Sequence, residues 1–145
     1  MRNAGYRFLD HTADVSVEAQ GKNLEEAFEQ TAYSLMETIT PSFIKIPPEI
    51  TKKIIIEAED KEALLFDFLT EFLYLFDVEE LIFSRIKIHN IKHIQSKYHL
   101  EADVKGAKFN KIKHERGIEV KAITYSYMNI EEKKKGVKIN VVFDI

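Results

Sequence analysis

The segment 60–77 constrains the fold most, because its apolar residues recur every three or four positions. This spacing places them on one broad stripe of a helix, and a stripe of that width has to be buried against another layer of the protein. Asp60 stands where an N-terminal helix cap is needed. The stripe consists of Leu64, Leu65, Phe68, Leu69, Phe72, Leu73, Leu75 and Phe76. The sequence therefore predicts a central core helix that requires a partner layer.

A second amphipathic helix is predicted earlier in the chain. Asn23 and Glu26 have the spacing of a capping box, and apolar residues between Leu24 and Ile39 recur at helical intervals. Such a helix has about four turns. Pro41 follows its predicted end.

Most of the remaining chain has the period-two alternation of half-buried strands. The predicted strands lie in 6–20, as two pieces, and in 54–56, 81–88, 98–105, 118–130 and 137–145, with a turn at 133–136. We therefore predict an α+β fold, a mainly antiparallel β-sheet structure with two amphipathic helices packed on one side.

Length and composition limit the class of protein further. The chain has 145 residues without a repeat or a linker, so we expect residues 1–145 to form a single domain. It contains no Cys, so a metal ion has to be held by carboxylates, histidines or carbonyl oxygens. No apolar run approaches the ~20 residues that cross a bilayer, which predicts a cytoplasmic protein without a membrane partner. A net charge of -3 gives no basic field for nonspecific nucleic-acid binding.

The segment 10–14, between the first two strand-like pieces, is rich in polar side chains. Asp10, His11, Thr12 and Asp14 could present oxygen and nitrogen ligands to one point. The alternative, which the residues alone favour, is a turn in which Asp10 and Thr12 bond the local backbone. The pattern by itself leaves both interpretations open.

The last predicted strand ends in two adjacent carboxylates, the side chain of Asp144 and the α-carboxylate of Ile145. Both are ionised at neutral pH. Holding them together with Asp14 would be unfavourable unless a cation or a basic residue joined them, and hard oxygen ligands suit calcium, magnesium or manganese. The alternative is that Asp144 simply faces water.

Other candidate groups carry less information. Lys121, on one strand face with Ile123 and Tyr125, could counter the acidic cluster or bind a phosphate, although a solvated surface explains it as well. His89 and His93 are four apart, but the Ile-rich pattern around them is typical of strand and loop. The chain has no Walker loop, nucleophile elbow, dinucleotide-binding glycine pattern or His-Glu-x-x-His motif.

Several segments together resemble the archease family, and the resemblance spans nearly the whole chain. They are 6–14 with His11-Thr12-Ala13-Asp14 at its centre, 24–28, 64–77, Lys105-Gly106 followed by His114, 121–125, and the terminal Asp144-Ile145. Their order and spacing together are specific. The chain departs from the family pattern at Ser126, where many archeases have a His, and this puts a proton-transfer role at that position in question.

The resemblance implies a non-enzymatic activator of the GTP-dependent RNA ligase of tRNA splicing, which promotes guanylylation of the ligase and multiple turnover. Contact with tRNA would be indirect, through the ligase. It also implies a divalent cation held by Asp14, Asp144 and Ile145. Calcium is the ion expected in a structure, with magnesium or manganese as alternatives. His11 and Lys121 are then candidate contacts to the partner or to a phosphate.

Three alternatives to this function stay open. The family was once described as a chaperone or modulator of a tRNA methyltransferase. A stand-alone metal-dependent phosphoester hydrolase could use the same carboxylates, although the sequence shows no second metal cluster and no general base or nucleophile. A generic RNA chaperone is disfavoured by the pI of about 6.0.

Overall fold

The computed structural model describes residues 4–9 and 14–145. This part of the chain forms two α-helices, α1 (Leu24–Ile39) and α2 (Lys61–Glu79), and a short 3-10 helix at Phe43–Lys45. It also forms seven strands. The strands are β1 (Gly5–Leu9), β2 (Val15–Gly21), β3 (Ile50–Ala58), β4 (Leu81–Ile94), β5 (Lys97–Lys108), β6 (Ala122–Lys133) and β7 (Gly136–Asp144).

Both α-helices begin at the caps that the sequence predicts. The side chain of Asn23 accepts a hydrogen bond from the backbone N–H of Glu26 at 2.8 Å, and Asp60 accepts one from Ala63 at 2.7 Å. These contacts satisfy N–H groups that have no partner inside a helix. Neither α1 nor α2, nor any other helix in the described residues, combines the length and apolarity required to cross a bilayer.

The strands form two antiparallel sheets. A four-stranded sheet has the order β1-β2-β7-β6, and a three-stranded sheet has the order β3-β5-β4. The predicted α+β class with antiparallel strands is confirmed. The division into two sheets could not be predicted from alternation, because strands of either sheet share the same period of two residues.

Both helices pack against both sheets. α1 packs against β2 and β7 of one sheet and against β4 of the other, while α2 packs against β6 and β3. Phe68 and Phe72 of α2 are completely buried and make edge-on contact, with 5.0 Å between ring centres. Phe72 meets Phe83 of β4 at 5.8 Å. The apolar stripe of α2 is therefore the common core of both sheets, and each of these rings contributes about 1.5–3 kcal/mol through burial.

α1 also covers the free edge of β4. The backbone N–H of Ile86 donates to the hydroxyl of Tyr33 at 2.9 Å, and the N–H of Ile88 donates to the carboxylate of Glu29 at 2.7 Å. Burial raises the pKa of Glu29, while the hydrogen bond from Ile88 opposes that rise. Side chains of α1 thus satisfy edge N–H groups that could otherwise pair with another strand.

The strand expected at 118–130 begins later, at Ala122. The preceding residues are bound to the end of α1, since the N–H groups of Gly117 and Ile118 donate to the carbonyls of Ile39 and Thr38 at 2.8 Å each. A Cβ on residue 117 would collide with the carbonyl oxygen of Thr38, so this close approach requires Gly. The loop 109–121 therefore has a fixed path to the start of β6.

Candidate cation site at the end of the four-stranded sheet

Strands from both ends of the chain meet at the candidate site. Phe143 of β7 pairs with Val15 of β2, and Asp144 pairs with Ala122 of β6. Continued by one residue, the register of β2 and β7 places Asp14 directly beside Asp144. The central position of β7 thus brings together two of the carboxylates that the sequence suggested.

If the pairing of β2 and β7 continued past Val15 and Phe143, Asp14 and Asp144 would project from the same face of the sheet, because directly opposed residues of antiparallel strands share a face. Asp14 is half-buried and Asp144 is exposed. The inward-facing side chains of β7 are all buried, as the alternation predicted: Val137, Ile139, Val141 and Phe143. Opposed Cβ atoms lie about 4.5–5.5 Å apart, which allows two carboxylates to reach one cation.

The main chain at this end of the sheet is well anchored. The backbone N–H of Lys121 donates to the carbonyl of Asp144 at 2.8 Å, and the partly buried side chain of Ile145 packs against the core. Ile145 is therefore held at this end of the sheet. The side chain of Lys121 is exposed and is accessible to a partner.

His11 lies outside the described residues, as do Asp10, Thr12 and Ala13. Its assignment as a contact to a partner or a phosphate stays a prediction, and so does the choice between a ligand cluster and a turn for this segment.

The donor set suits a hard cation. Asp14 and Asp144 supply carboxylate oxygens, and the main chain of Ile145 supplies a third oxygen group. Within the described residues, no three His, Cys, Asp or Glu side chains form a group that could hold a metal ion. A cation would therefore take two side-chain ligands there and complete its shell with main-chain oxygen and water. Calcium and magnesium both accept such mixed oxygen shells.

β6 departs from regular pairing close to this site. Its register against β7 shifts between Thr124 and Asn129, which marks a bulge. Ser126 lies in this bulge, and its N–H donates to the Thr124 hydroxyl at 2.8 Å. Tyr127 has a φ of 60°, uncommon for an aromatic residue, and is 80% exposed. The alternation of residues 121–126 indicated a regular strand, and no Gly or Pro announces the bulge.

His89 and His93 contact different partners. His89 Nε2 lies 2.7 Å from an oxygen of Asp103, and this contact lowers the pKa of the Asp103 carboxyl. The ring of His93 stacks on Tyr98 with 4.2 Å between ring centres. Each ring therefore has its own contact within the three-stranded sheet, where β4 and β5 pair.

A separate cleft of about 320 Å³ lies between the end of α2 and the loop 109–121. Its apolar lining includes Phe76 and Phe109, while Asp77 and Arg116 line it with opposite charges. This mixture shows no convergent set of acid, base or nucleophile of the kind that a reaction site requires.

Two antiparallel sheets that share two helices make this a small α+β protein. The sequence matches the family described as "Archease protein family (MTH1598/TM1083)" over residues 6–145, and the chain belongs to the archease family.

Relatives agree with this assignment in sequence and in fold. The chain is 43% identical to the protein archease of Pyrococcus furiosus over 131 residues, covering 90% of this chain and 91% of the relative. It is 36% identical to the protein archease of Methanosarcina barkeri over 140 residues, covering 97% and 95%. The solution structure of Methanobacterium thermoautotrophicum protein 1598 superposes with a TM-score of 0.82 at 31% identity, covering 97% of this chain and 99% of that one. A crystal structure from Thermotoga maritima, described as an archease and possible chaperone, gives 0.61 at 25% identity, covering 100% and 98%.

Proposed function

We propose that this chain is a non-enzymatic activator of the GTP-dependent tRNA-splicing RNA ligase. It would promote guanylylation of the ligase and repeated turnover through a divalent-cation site at Asp14, Asp144 and Ile145. The observation that supports the proposal is the register of β2 and β7: Val15 pairs with Phe143, so the residues next to them, Asp14 and the exposed Asp144, lie at the same end of the sheet. Membership of the archease family supports the choice of partner.

The residues at the sheet end would act by position and charge. The carboxylates of Asp14 and Asp144 would hold the cation, and the pairing of β7 on both sides would keep them fixed relative to each other. A bound divalent cation supplies positive charge that stabilises transferring phosphate groups. Lys121 lies next to the site, because its backbone N–H donates to the carbonyl of Asp144. Its exposed side chain would offer a second positive charge to a nucleotide phosphate. No residue of this chain would form a covalent intermediate.

Asp14→Asn and Asp144→Asn test the proposal, because each removes one ligand charge with almost no change of shape. Each variant should weaken calcium or manganese binding by about 100-fold in calorimetry and remove the stimulation of multiple-turnover ligation. Asp77→Asn serves as the matched control, because it changes an exposed aspartate near the end of α2, outside the cation site. This variant should behave like the unmodified chain.

Appending a short tail after Ile145 isolates the contribution of its carboxylate, because no side chain changes. Undiminished cation binding in the tailed chain would remove Ile145 from the site. Normal stimulation by Asp14→Asn, with the cation site demonstrably empty, would contradict the proposed role of the cation site in activation. Turnover of phosphoester substrates with manganese and no ligase would favour the hydrolase alternative.

The description of the Thermotoga relative as a possible chaperone favours a second candidate function. In that case the chain would preserve a partner, such as the ligase or a tRNA methyltransferase, rather than accelerate its reaction. Counting active ligase by burst amplitude separates the two candidates. An activator raises the rate per active ligase, whereas a chaperone raises only the amount of active ligase.

A further inference from the structure

The outward surface of α2 lies between two sheet edges, β6 and β3. We name this surface the α2 face and define it by Ile55, Phe66, Asp67, Glu71, Tyr74 and Tyr125. It is formed by elements other than those that carry Asp14 and Asp144. Nothing in the cation site requires these side chains.

Aromatic side chains are prominent on the α2 face. Phe66 and Tyr125 stack with 4.3 Å between ring centres and 5° between their planes. Tyr125 and Tyr74 are each 53% exposed, and Ile55 on β3 is 68% exposed. Flat rings held open to solvent provide faces on which a guanidinium or an ammonium group can stack.

The bulge of β6 limits how a partner can bind here. Tyr125 lies in the segment where β6 loses its register with β7, and Tyr127 beside it has a positive φ. An edge strand that is bulged in this way is a poor template for the addition of another strand. A partner would therefore contact side chains of the α2 face rather than extend the sheet.

The charge of the α2 face is negative. A shallow groove of about 400 Å³ between α2 and β3 is lined by Asp67, Glu71 and Glu57, and by no Lys or Arg. Glu57 is paired with Lys97 at 3.1 Å. Among the described residues, no Lys, Arg or His forms an ion pair with Asp67 or Glu71.

Glu71 shows that this charge is incompletely compensated. It is half-buried, and burial, followed by the nearby Glu79, raises the pKa of its carboxyl. Lys52 pairs with Glu79 at 2.9 Å rather than with Glu71. A cationic side chain from outside would relieve the cost of burying this carboxylate, so the groove is complementary to a basic surface.

We infer that the α2 face is the docking surface for a basic surface of a partner protein, whose Arg or Lys side chains enter between Tyr74 and Tyr125 and pair with Asp67 and Glu71. This rests on the proposed function in one respect: the partner is the RNA ligase. An enzyme that binds tRNA has to present a basic surface to phosphate. The acidic α2 face repels RNA and attracts such a surface.

The experiment compares charge reversal on two faces. Asp67→Lys combined with Glu71→Lys should raise the Kd for the ligase by about tenfold or more in biolayer interferometry and flatten its salt dependence. Calcium binding to the same variant, measured by calorimetry, should not change. Glu49→Lys combined with Glu115→Lys makes the same change of net charge at exposed sites outside the α2 face, and it should leave the Kd within about twofold.

A milder pair covers the case in which charge reversal perturbs folding. Asp67→Asn with Glu71→Gln keeps the shapes, removes a half-buried charge and should still raise the Kd by about fivefold. An unchanged Kd in both α2-face variants overturns the docking inference while leaving the activator function intact. RNA binding that protects the α2 face in the unmodified chain overturns it as well.

Failure of the activator function leads to a different result. If the unmodified chain neither binds nor stimulates the ligase, the partner is wrong, and an arginine-rich peptide titrated into isotope-labelled protein then decides the chemistry of the surface. Shifts confined to amides around Asp67, Glu71 and Tyr125 support a basic partner. Shifts elsewhere, or none, overturn the inference.

Discussion

Glu29 illustrates, at the scale of a residue, how a half-buried carboxylate can hold a strand edge. Its carboxylate accepts the N–H of Ile88 at 2.7 Å, although burial raises its pKa. Glu29→Ala leaves that N–H without this acceptor and should lower the free energy of unfolding by about 1–3 kcal/mol. Glu29→Gln keeps an acceptor without a charge, so its stability should equal or exceed that of the parent by up to about 0.5 kcal/mol. Urea denaturation at neutral pH measures both variants.

The comparison of these two variants separates a hydrogen bond from a charge effect. A loss in Glu29→Gln as large as that in Glu29→Ala would mean that the negative charge itself is required, for example by Lys87, whose charge lowers the same pKa. Equal stability of all three proteins would mean that water replaces the carboxylate at the N–H of Ile88.

Gly106 of β5 shows the same dependence on close contact at the scale of an element. A Cβ at this position would collide with the carbonyl oxygen of Ile82 and lie 2.7 Å from Phe83 Cα, where β4 and β5 change register. Gly106→Ala should therefore destabilise the protein by about 1–3 kcal/mol, despite the lower backbone entropy of Ala in the unfolded chain. The measurement is thermal or urea unfolding.

Gly5 of β1 offers a matched control, because a Cβ there meets nothing within 4 Å. Gly5→Ala should leave stability unchanged or raise it by about 0.5 kcal/mol. If Gly106→Ala behaves like Gly5→Ala, the backbones of β4 and β5 separate at low cost, and the tight contact is not a determinant of the sheet.

The elements also show how far local pattern determines this fold. Both helix starts followed from Asn23 and Asp60, because a cap is a local interaction between near neighbours. The late start of β6 could not be predicted from the local sequence, because it depends on a hydrogen bond between Gly117 and the end of α1, which is distant in the sequence. The β6 bulge was missed for the same reason: its residues alternate as a strand would, and only pairing with β7 reveals the shift.

The candidate site was predictable in part. The apolar alternation of β7 indicated that Asp144 points away from the face of Val141 and Phe143, and Asp144 is exposed whereas those two residues are buried. The position of Asp14 next to Asp144 depends on which strands are neighbours, and alternation contains no information on strand order. The resemblance to the archease family implied the grouping of Asp14 with Asp144, which stays a prediction. The combination of acidic and aromatic side chains on the α2 face could not be predicted from the pattern of α2 alone, because Ile55 and Tyr125 come from β3 and β6.

At the scale of the whole molecule, the titrating groups predict an asymmetric dependence of stability on pH. On the acid side the effects oppose each other: the pKa of Asp103 is lowered, chiefly by its hydrogen bond with His89, whereas burial raises those of Glu29 and Glu71. A raised pKa gains stability as the pH falls from the folded value toward the unfolded one, whereas a lowered pKa loses stability only at lower pH, as the pH falls toward its folded value. Stability should therefore rise slightly as the pH falls toward the ordinary Glu pKa of 4.5 and decrease below the ordinary Asp pKa of 3.8.

On the alkaline side the effects add. Burial, followed by the hydrogen bond from its hydroxyl to Glu37 at 2.6 Å, raises the pKa of Tyr6 far above the ordinary value of 10.0, and the pKa values of Tyr33 and Lys61 are also raised. Each such group contributes stability that is complete below its unfolded pKa and is lost as the pH rises toward its folded pKa. One group contributes a slope of at most about 1.4 kcal/mol per pH unit. Unfolding free energy should thus fall steeply above pH 10.

Tyr6→Phe tests this argument because it removes one titrating group and keeps the ring. At neutral pH the variant should be less stable by about 1 kcal/mol, since Glu37 loses its hydroxyl donor. Above pH 10 the difference should shrink and then reverse, because the parent has to retain a proton on Tyr6 that its unfolded chain releases. Urea denaturation from pH 7 to pH 11.5 measures both curves. A difference that stays constant over this range would mean that Tyr6 ionises as readily in the folded protein as in the unfolded chain. The steep alkaline limb would then have to come from Tyr33 and Lys61.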